Sequence, residues 1–176
     1  MARTNYEVNR QKTRVPMPEL DPVERAQTFD EVALGYSEEE AVAEARRCIQ
    51  CPNAPCVGGC PVGVPIPQFI AQVAEGNFAR AYAIVKSANS LPAICGRVCP
   101  QETQCEGVCT RGKNGEPVSI GRLERSADWA FEHPEEAAAA MEESRAKAKG
   151  SSSRRPAMTR RHRSTFPASA WPLWAR

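Results

Sequence analysis

The stretch Cys48-Ile-Gln-Cys51-Pro-Asn-Ala-Pro-Cys56-Val-Gly-Gly-Cys60-Pro61 carries four thiols in thirteen residues, spaced C-x2-C-x4-C-x3-C-P. A second group runs Cys95-Gly-Arg-Val-Cys99-Pro100 and on through Cys105 to Cys109, spaced C-x3-C-P-x4-C-x3-C. Together they hold all 8 cysteines of the chain. Spacings this short gather sulfurs around a small volume, which is the arrangement a metal centre needs. Gly58, Gly59, Gly96 and Gly107 lie within the same loops. They allow a close main-chain approach, where amide donors could tune a metal–sulfur centre. Simple turn formation would also account for them.

Three chemistries compete for eight cysteines. Cys60-Pro61 and Cys99-Pro100 resemble the punctuation of bacterial ferredoxins, in which three cysteines of a run hold one cube and the fourth reaches another. Two all-thiolate zinc sites would call for repeated C-x2-C pairs, and only one such pair is present. Disulfides require an oxidising compartment. The start, Met1-Ala-Arg-Thr-Asn-Tyr-Glu7, has no apolar run of an export signal, so a cytoplasmic, reducing location is expected. Two iron–sulfur clusters are therefore the preferred reading. The two histidines, His133 and His162, add little. His133 precedes Pro134 and is read as a capping or solvated residue.

A chain of 176 residues with 3 Trp, 3 Tyr and 5 Phe has few large core builders, and its 15 Pro and 11 Gly cut it into short segments. Bound metal is one way to staple so small a core. The net charge of +2 conceals an asymmetry. Residues 151–176 hold six Arg and no acid, leaving 17 basic against 21 acidic residues in 1–150. The longest uncharged stretch, 48–74, contains five prolines and four cysteines and is no membrane span.

Outward from the cysteines the pattern is helical. Pro16, Pro18 and Pro22 keep residues 1–30 an extended leader that could lie on a partner. Ser37 and Glu40 form a capping box for a helix running through Arg47, with Arg46 and Arg47 in its last turn facing the macrodipole. Pro67 opens a helix to Glu75, and Gly76-Asn77 breaks it. A further helix over 77–87 sets Phe78, Ala81, Tyr82 and Val85 on one face. Pro117 and Ser119 start a helix with Ile120, Leu123, Ala127, Ala130 and Phe131 inward, and 135–149 is Ala- and Glu-rich. The expectation is an all-α, two-cluster domain over 31–149, with a leader at 1–30 and an irregular basic tail at 150–176.

The two cysteine groups, together with Pro117-Val-Ser-Ile-Gly-Arg-Leu-Glu124, closely resemble the N-terminal iron–sulfur domain of the glutamate synthase small (beta) subunit. That domain is itself similar to the N-terminal domain of dihydropyrimidine dehydrogenase. The match covers about residues 20–133, and Gly35-Tyr-Ser-Glu-Glu-Glu-Ala41 fits the glutamate synthase branch. The resemblance implies two [4Fe-4S] clusters with interleaved ligands. Cys48, Cys51, Cys56 and Cys109 would hold the first. Cys60, Cys99 and Cys105 would hold three corners of the second, with Glu124 as its fourth ligand and Cys95 a spectator. Read from the residues alone, Cys95 is the preferred fourth ligand, and Glu124 could equally be a surface carboxylate paired with Arg125.

In that family FAD- and NADPH-binding domains follow, each with a glycine fingerprint. This chain has no G-x-G-x-x-G. FAD and NADPH are therefore expected only on a partner chain, and the chain is not catalytically complete alone. The implied role is that of an electron-transfer component of an oxidoreductase, working with a flavoprotein chain, with the glutamate synthase large subunit, or with both. The family's overall reaction makes glutamate from 2-oxoglutarate and glutamine-derived ammonia. The alternative is a non-redox assembly module whose clusters only stabilise the fold. The tail is read as disordered in isolation, or else as a basic arm anchored by Trp171 and Trp174. Its Arg run is too short to indicate nucleic-acid binding, and no membrane partner is expected.

Overall fold

The chain folds as a small all-α domain, seen here in a computed structural model that describes residues 6–150, the side chains of 149 and 150 excepted. The basic tail, with Trp171 and Trp174, and residues 1–5 lie outside the described residues. Among the described residues there is no strand, only an isolated antiparallel bridge between Glu19 and Ala33.

Helix α1 spans Glu38–Ala45 and starts as its sequence dictates. The Ser37 hydroxyl accepts the Glu40 N–H, and the Glu40 carboxylate accepts the Ser37 N–H. The helix ends two residues before the position expected for it. Arg46 is the C-cap, and Arg47 lies beyond it, fully buried instead of facing the macrodipole. The short α2 (Pro55–Gly59) carries Cys56. Helices α3 (Ile66–Ala74) and α4 (Phe78–Lys86) are separated by Gly76, whose φ of 77° closes the turn. Helix α5 (Pro92–Val98) carries Cys95 and leads into Cys99.

The single helix expected after Pro117 is divided into three pieces. These are α6 (Ile120–Glu124), a 3-10 stretch (Arg125–Asp128) and α7 (Trp129–Glu132). Ile120, Leu123 and Ala127 do face inward, but Phe131 is 77% exposed. Trp129 takes its place, stacking on Phe78 and on His133. His133 caps α7, and its Nδ1 lies 3.1 Å from the Trp129 carbonyl. The chain finishes in α8 (Pro134–Gly150), which packs along α4.

The core sits where α3 crosses α1 and α4. Phe69, Ile70 and Val73 of α3 meet Ala41 and Ala45 of α1, Phe78, Ala81 and Val85 of α4, and Val118, Ile120 and Leu123. Side chains the size of Phe69 and Ile70 contribute about 1.5–3 kcal/mol each when fully buried. Cys48, Cys56, Cys60 and Cys109 are packed against this core, and Cys105 is part of it. The cysteine loops therefore hang on the apolar centre, where their backbones are held in place.

Residues 6–20 run along the domain. The Tyr6 hydroxyl donates to the Cys48 carbonyl at 2.9 Å, and the Asn9 N–H donates to the Arg46 carbonyl at 2.9 Å. Tyr36 donates to the Val15 carbonyl at 2.7 Å. At the join, Glu44 and Arg47, both 0% exposed, make an ion pair of 2.6 Å.

Candidate metal centre

The first cysteine loop leaves α1 at Cys48 and turns back under α3. Two non-glycine residues within it, Gln50 (φ 48°) and Ala54 (φ 39°), adopt the left-handed region. Such conformations cost energy and concentrate at functional sites. Gln50 is held there by its side-chain amide, which donates to the Pro67 carbonyl (2.8 Å) and to Tyr6 Oη (3.2 Å), and lies 3.6 Å from Cys48 Sγ. The loop is thus fixed from outside by the leader and α3.

Cys48, Cys51 and Cys56 line a pocket whose fourth thiol is Cys109, from the far end of the second group. Its walls are Ile66, Ile70, Val118 and Ile120, and it is partly open to solvent. Thr110, next to Cys109, lies 3.2 Å from Cys51 Sγ. All eight cysteines are free thiols. Burial pushes the Cys48 thiol up to about 12 and Cys56 up to about 11, and the charges of neighbouring cysteines add to both. The ligating form of a thiol is the thiolate. Four of them in one apolar pocket call for a cationic centre.

Cys60, Cys95, Cys99 and Cys105 lie near Glu124, the last residue of α6. Burial raises the Cys99 thiol, and the neighbouring Cys95, Glu124 and Cys60 raise it further. Burial likewise pushes Cys105 up to about 12, with added contributions from Glu106, Cys60 and Glu124. The four cysteines and the carboxylate are therefore electrostatic neighbours. Glu124 is 9% exposed, which removes the surface reading of this residue. Arg125 is not its partner. That guanidinium donates to the Ala33 carbonyl and pairs with Glu31 and Asp128. The polar contact of Glu124 is Asn89, whose amide donates to Oε1 at 2.7 Å. Burial raises the Glu124 carboxyl, and the Asn89 bond partly offsets the rise.

Glycines in these loops serve close packing between segments. A Cβ on Gly96 would sit 2.8 Å from the Arg125 backbone nitrogen, and one on Gly59 would sit 2.9 Å from the Gln104 carbonyl. Gly58 faces open space. Gly96→Ala is expected to push α5 off α6 at a cost of about 1–3 kcal/mol, and to disturb the second site more than the first. Gly58→Ala should cost little. Equal denaturant midpoints for the two variants would remove this assignment.

The buried thiols also set a pH dependence. Cys48, Cys56 and Cys105 keep their protons in the folded, metal-free chain beyond 9.0, their ordinary value. Unfolded thiols ionise first, so stability is full below that pH, falls as pH rises through it, and levels off once the folded thiols ionise at about 11–12. Thermal unfolding of metal-free chain at about pH 8 and about pH 10 checks this. A higher midpoint at the alkaline pH would contradict it.

Among the described residues, no three His, Cys, Asp or Glu side chains converge closely enough to hold a single metal ion. A four-iron cube does not need that convergence, since it sets its thiolates further apart than one ion does. Two sets of free thiols, the first against apolar walls and the second beside a buried carboxylate, fit the donor chemistry of iron–sulfur centres.

Fold and site define a small helical iron–sulfur domain. The chain belongs to the dihydropyrimidine dehydrogenase domain II, 4Fe-4S cluster family, whose pattern matches residues 25–135. It is 42% identical over 116 residues to the glutamate synthase [NADPH] small chain of Halomonas elongata, covering 65% of this chain and 25% of that protein. To the glutamate synthase [NADPH] small chain of Escherichia coli it is 40% identical over 120 residues, 68% of this chain and 25% of the relative. Over 97 residues it is 38% identical to the NAD-dependent dihydropyrimidine dehydrogenase subunit PreT of Escherichia coli, 55% of this chain and 24% of the relative. The chain thus spans about a quarter of each relative. Among the described residues no helix is long and apolar enough to cross a membrane.

Sequence reasoning did not single out Asn89, Gln50 or Thr110. Asn89 stands three residues before Pro92, a turn signature. Gln50 and Thr110 directly adjoin cysteines, and only the folded chain brings them against sulfur.

Proposed function

We propose that this chain is an electron-transfer module of an NADPH-dependent oxidoreductase of the glutamate synthase kind, with an extended leader at 1–30, a two-cluster domain at 31–149 and a basic tail at 150–176. Cys48, Cys51, Cys56 and Cys109 hold one [4Fe-4S] cluster, and Cys60, Cys99, Cys105 and Glu124 hold the other. When bound, the clusters supply one-electron chemistry between partner flavins. The chain's own residues bind them, keep water from them with Ile66, Ile70, Val118 and Ile120, and hold the loops through Gln50 and the leader. FAD and NADPH lie on a partner flavoprotein chain, the glutamate synthase large subunit is the other candidate partner, and the location is the cytoplasm.

The observation that carries this reading is the pocket that Cys109 shares with Cys48, Cys51 and Cys56. A thiol from one group completing the set of the other is the interleaving such a two-cluster domain needs. Anaerobic purification should give about eight iron and eight sulfide per chain. Pull-down should recover a flavoprotein, and the clusters should be reduced by NADPH in its presence. Anaerobically purified chain that carries neither iron nor sulfide would sink the proposal. Clusters that stay oxidised in the complex would leave only the assembly role.

A further inference from the structure

Asn89 sits between the two candidate fourth ligands of the second site. It lies in the turn from α4 into α5 and is 7% exposed. Its Oδ1 accepts the Leu91 N–H at 2.9 Å, closing the turn. Only the oxygen end of the amide can make that bond, so the nitrogen end is committed to the opposite side. There Nδ2 donates to Glu124 Oε1 at 2.7 Å, a bond between two buried groups. Cys95 Sγ meets the same amide from the other end, 3.7 Å from Oδ1. One side chain, locked by the backbone, thus contacts both the carboxylate and the competing sulfur.

We propose that Asn89 is a positioning residue that selects Glu124 over Cys95 as the fourth ligand of the second cluster. Nδ2 occupies Oε1 and orients the carboxylate, leaving Oε2 as its free oxygen. Oδ1 gives Cys95 a partner outside the ligand set. Groups behind a first ligand commonly fix its orientation in this way. The inference rests on the ligand set proposed above and adds the residue that enforces it.

The test uses the full chain, purified anaerobically. Asn89→Asp keeps an oxygen for the Leu91 N–H and turns an acceptor, in place of a donor, toward Glu124. Cys60→Ala and Cys109→Ala assign the electron paramagnetic resonance signals to the second and first cluster. In Asn89→Asp the second-cluster signal is expected to disappear, with about half of the iron lost, or to shift in shape and potential as Cys95 replaces Glu124. The first-cluster signal should stay as it was. Both signals unchanged in Asn89→Asp, or both lost together, would each overturn the positioning role. Parent chain that holds two clusters while Asn89→Asp changes nothing overturns this inference alone. Parent chain without iron overturns the proposed function and this inference with it.

Discussion

Arg47→Ala is expected to destabilise the domain by about 3–5 kcal/mol, the usual cost of stranding one member of a buried ion pair. The Arg47 guanidinium binds Glu44 Oε1 at 2.6 Å. It also donates to the carbonyls of Gln11 and Lys12 in the leader, and to those of Glu116 and Pro117 just before α6. Glu44 in turn accepts the N–H groups of Val15 and Ser119. One pair therefore ties leader, α1 and the entry to α6 together. Alanine leaves a fully buried carboxylate without its cation and four carbonyls without this donor. Domains of this size are stable by only about 5–15 kcal/mol, so the variant should be largely unfolded at modest denaturant. A loss below about 1 kcal/mol, typical of solvated pairs, would show that the interior does not depend on this pair.

The second large effect concerns cysteines far apart in the chain. Under the proposed arrangement Cys48→Ala and Cys109→Ala remove ligands of the same cluster. Each should lower iron and sulfide by about half and erase the same spectroscopic signal. Stability should fall in both, because metal binding free energy is folding free energy where the apo site is not self-supporting. The linkage here joins the end of α1 to the segment before α6. Cys95→Ala is the control, expected to leave both clusters in place. If Cys109→Ala instead erased the signal lost in Cys99→Ala, ligands would follow sequence groups and the interleaving would be wrong.

Local signals in the sequence were reliable where the physics is local. The Ser37–Glu40 capping box, the Pro-led start of α3 and the Gly76 break all involve neighbours within a turn, and they stand as read. The run after Pro117 misled because its periodicity fits one helix. Burial of Arg125, which reaches the Ala33 carbonyl at 2.7 Å, coincides with the tighter 3-10 turn, and Phe131 is carried to the surface. Arg46 and Arg47 read alike as basic residues at a helix end. Only packing distinguishes them, because the partners of Arg47 come from three separate segments.

The helical class, the thiol chemistry and the grouping of cysteines within each loop were legible in the residue order, since spacings of two to four residues confine sulfurs whatever the rest of the chain does. The family resemblance, not spacing, grouped Cys109 with Cys48, Cys51 and Cys56, and the folded chain brings the four to one pocket; folding also buries Glu124 against Asn89 and lays the leader across Glu44 and Arg47. Those meetings span dozens of residues, and they depend on how α1, α3 and α6 bury their apolar faces together, which no local spacing encodes.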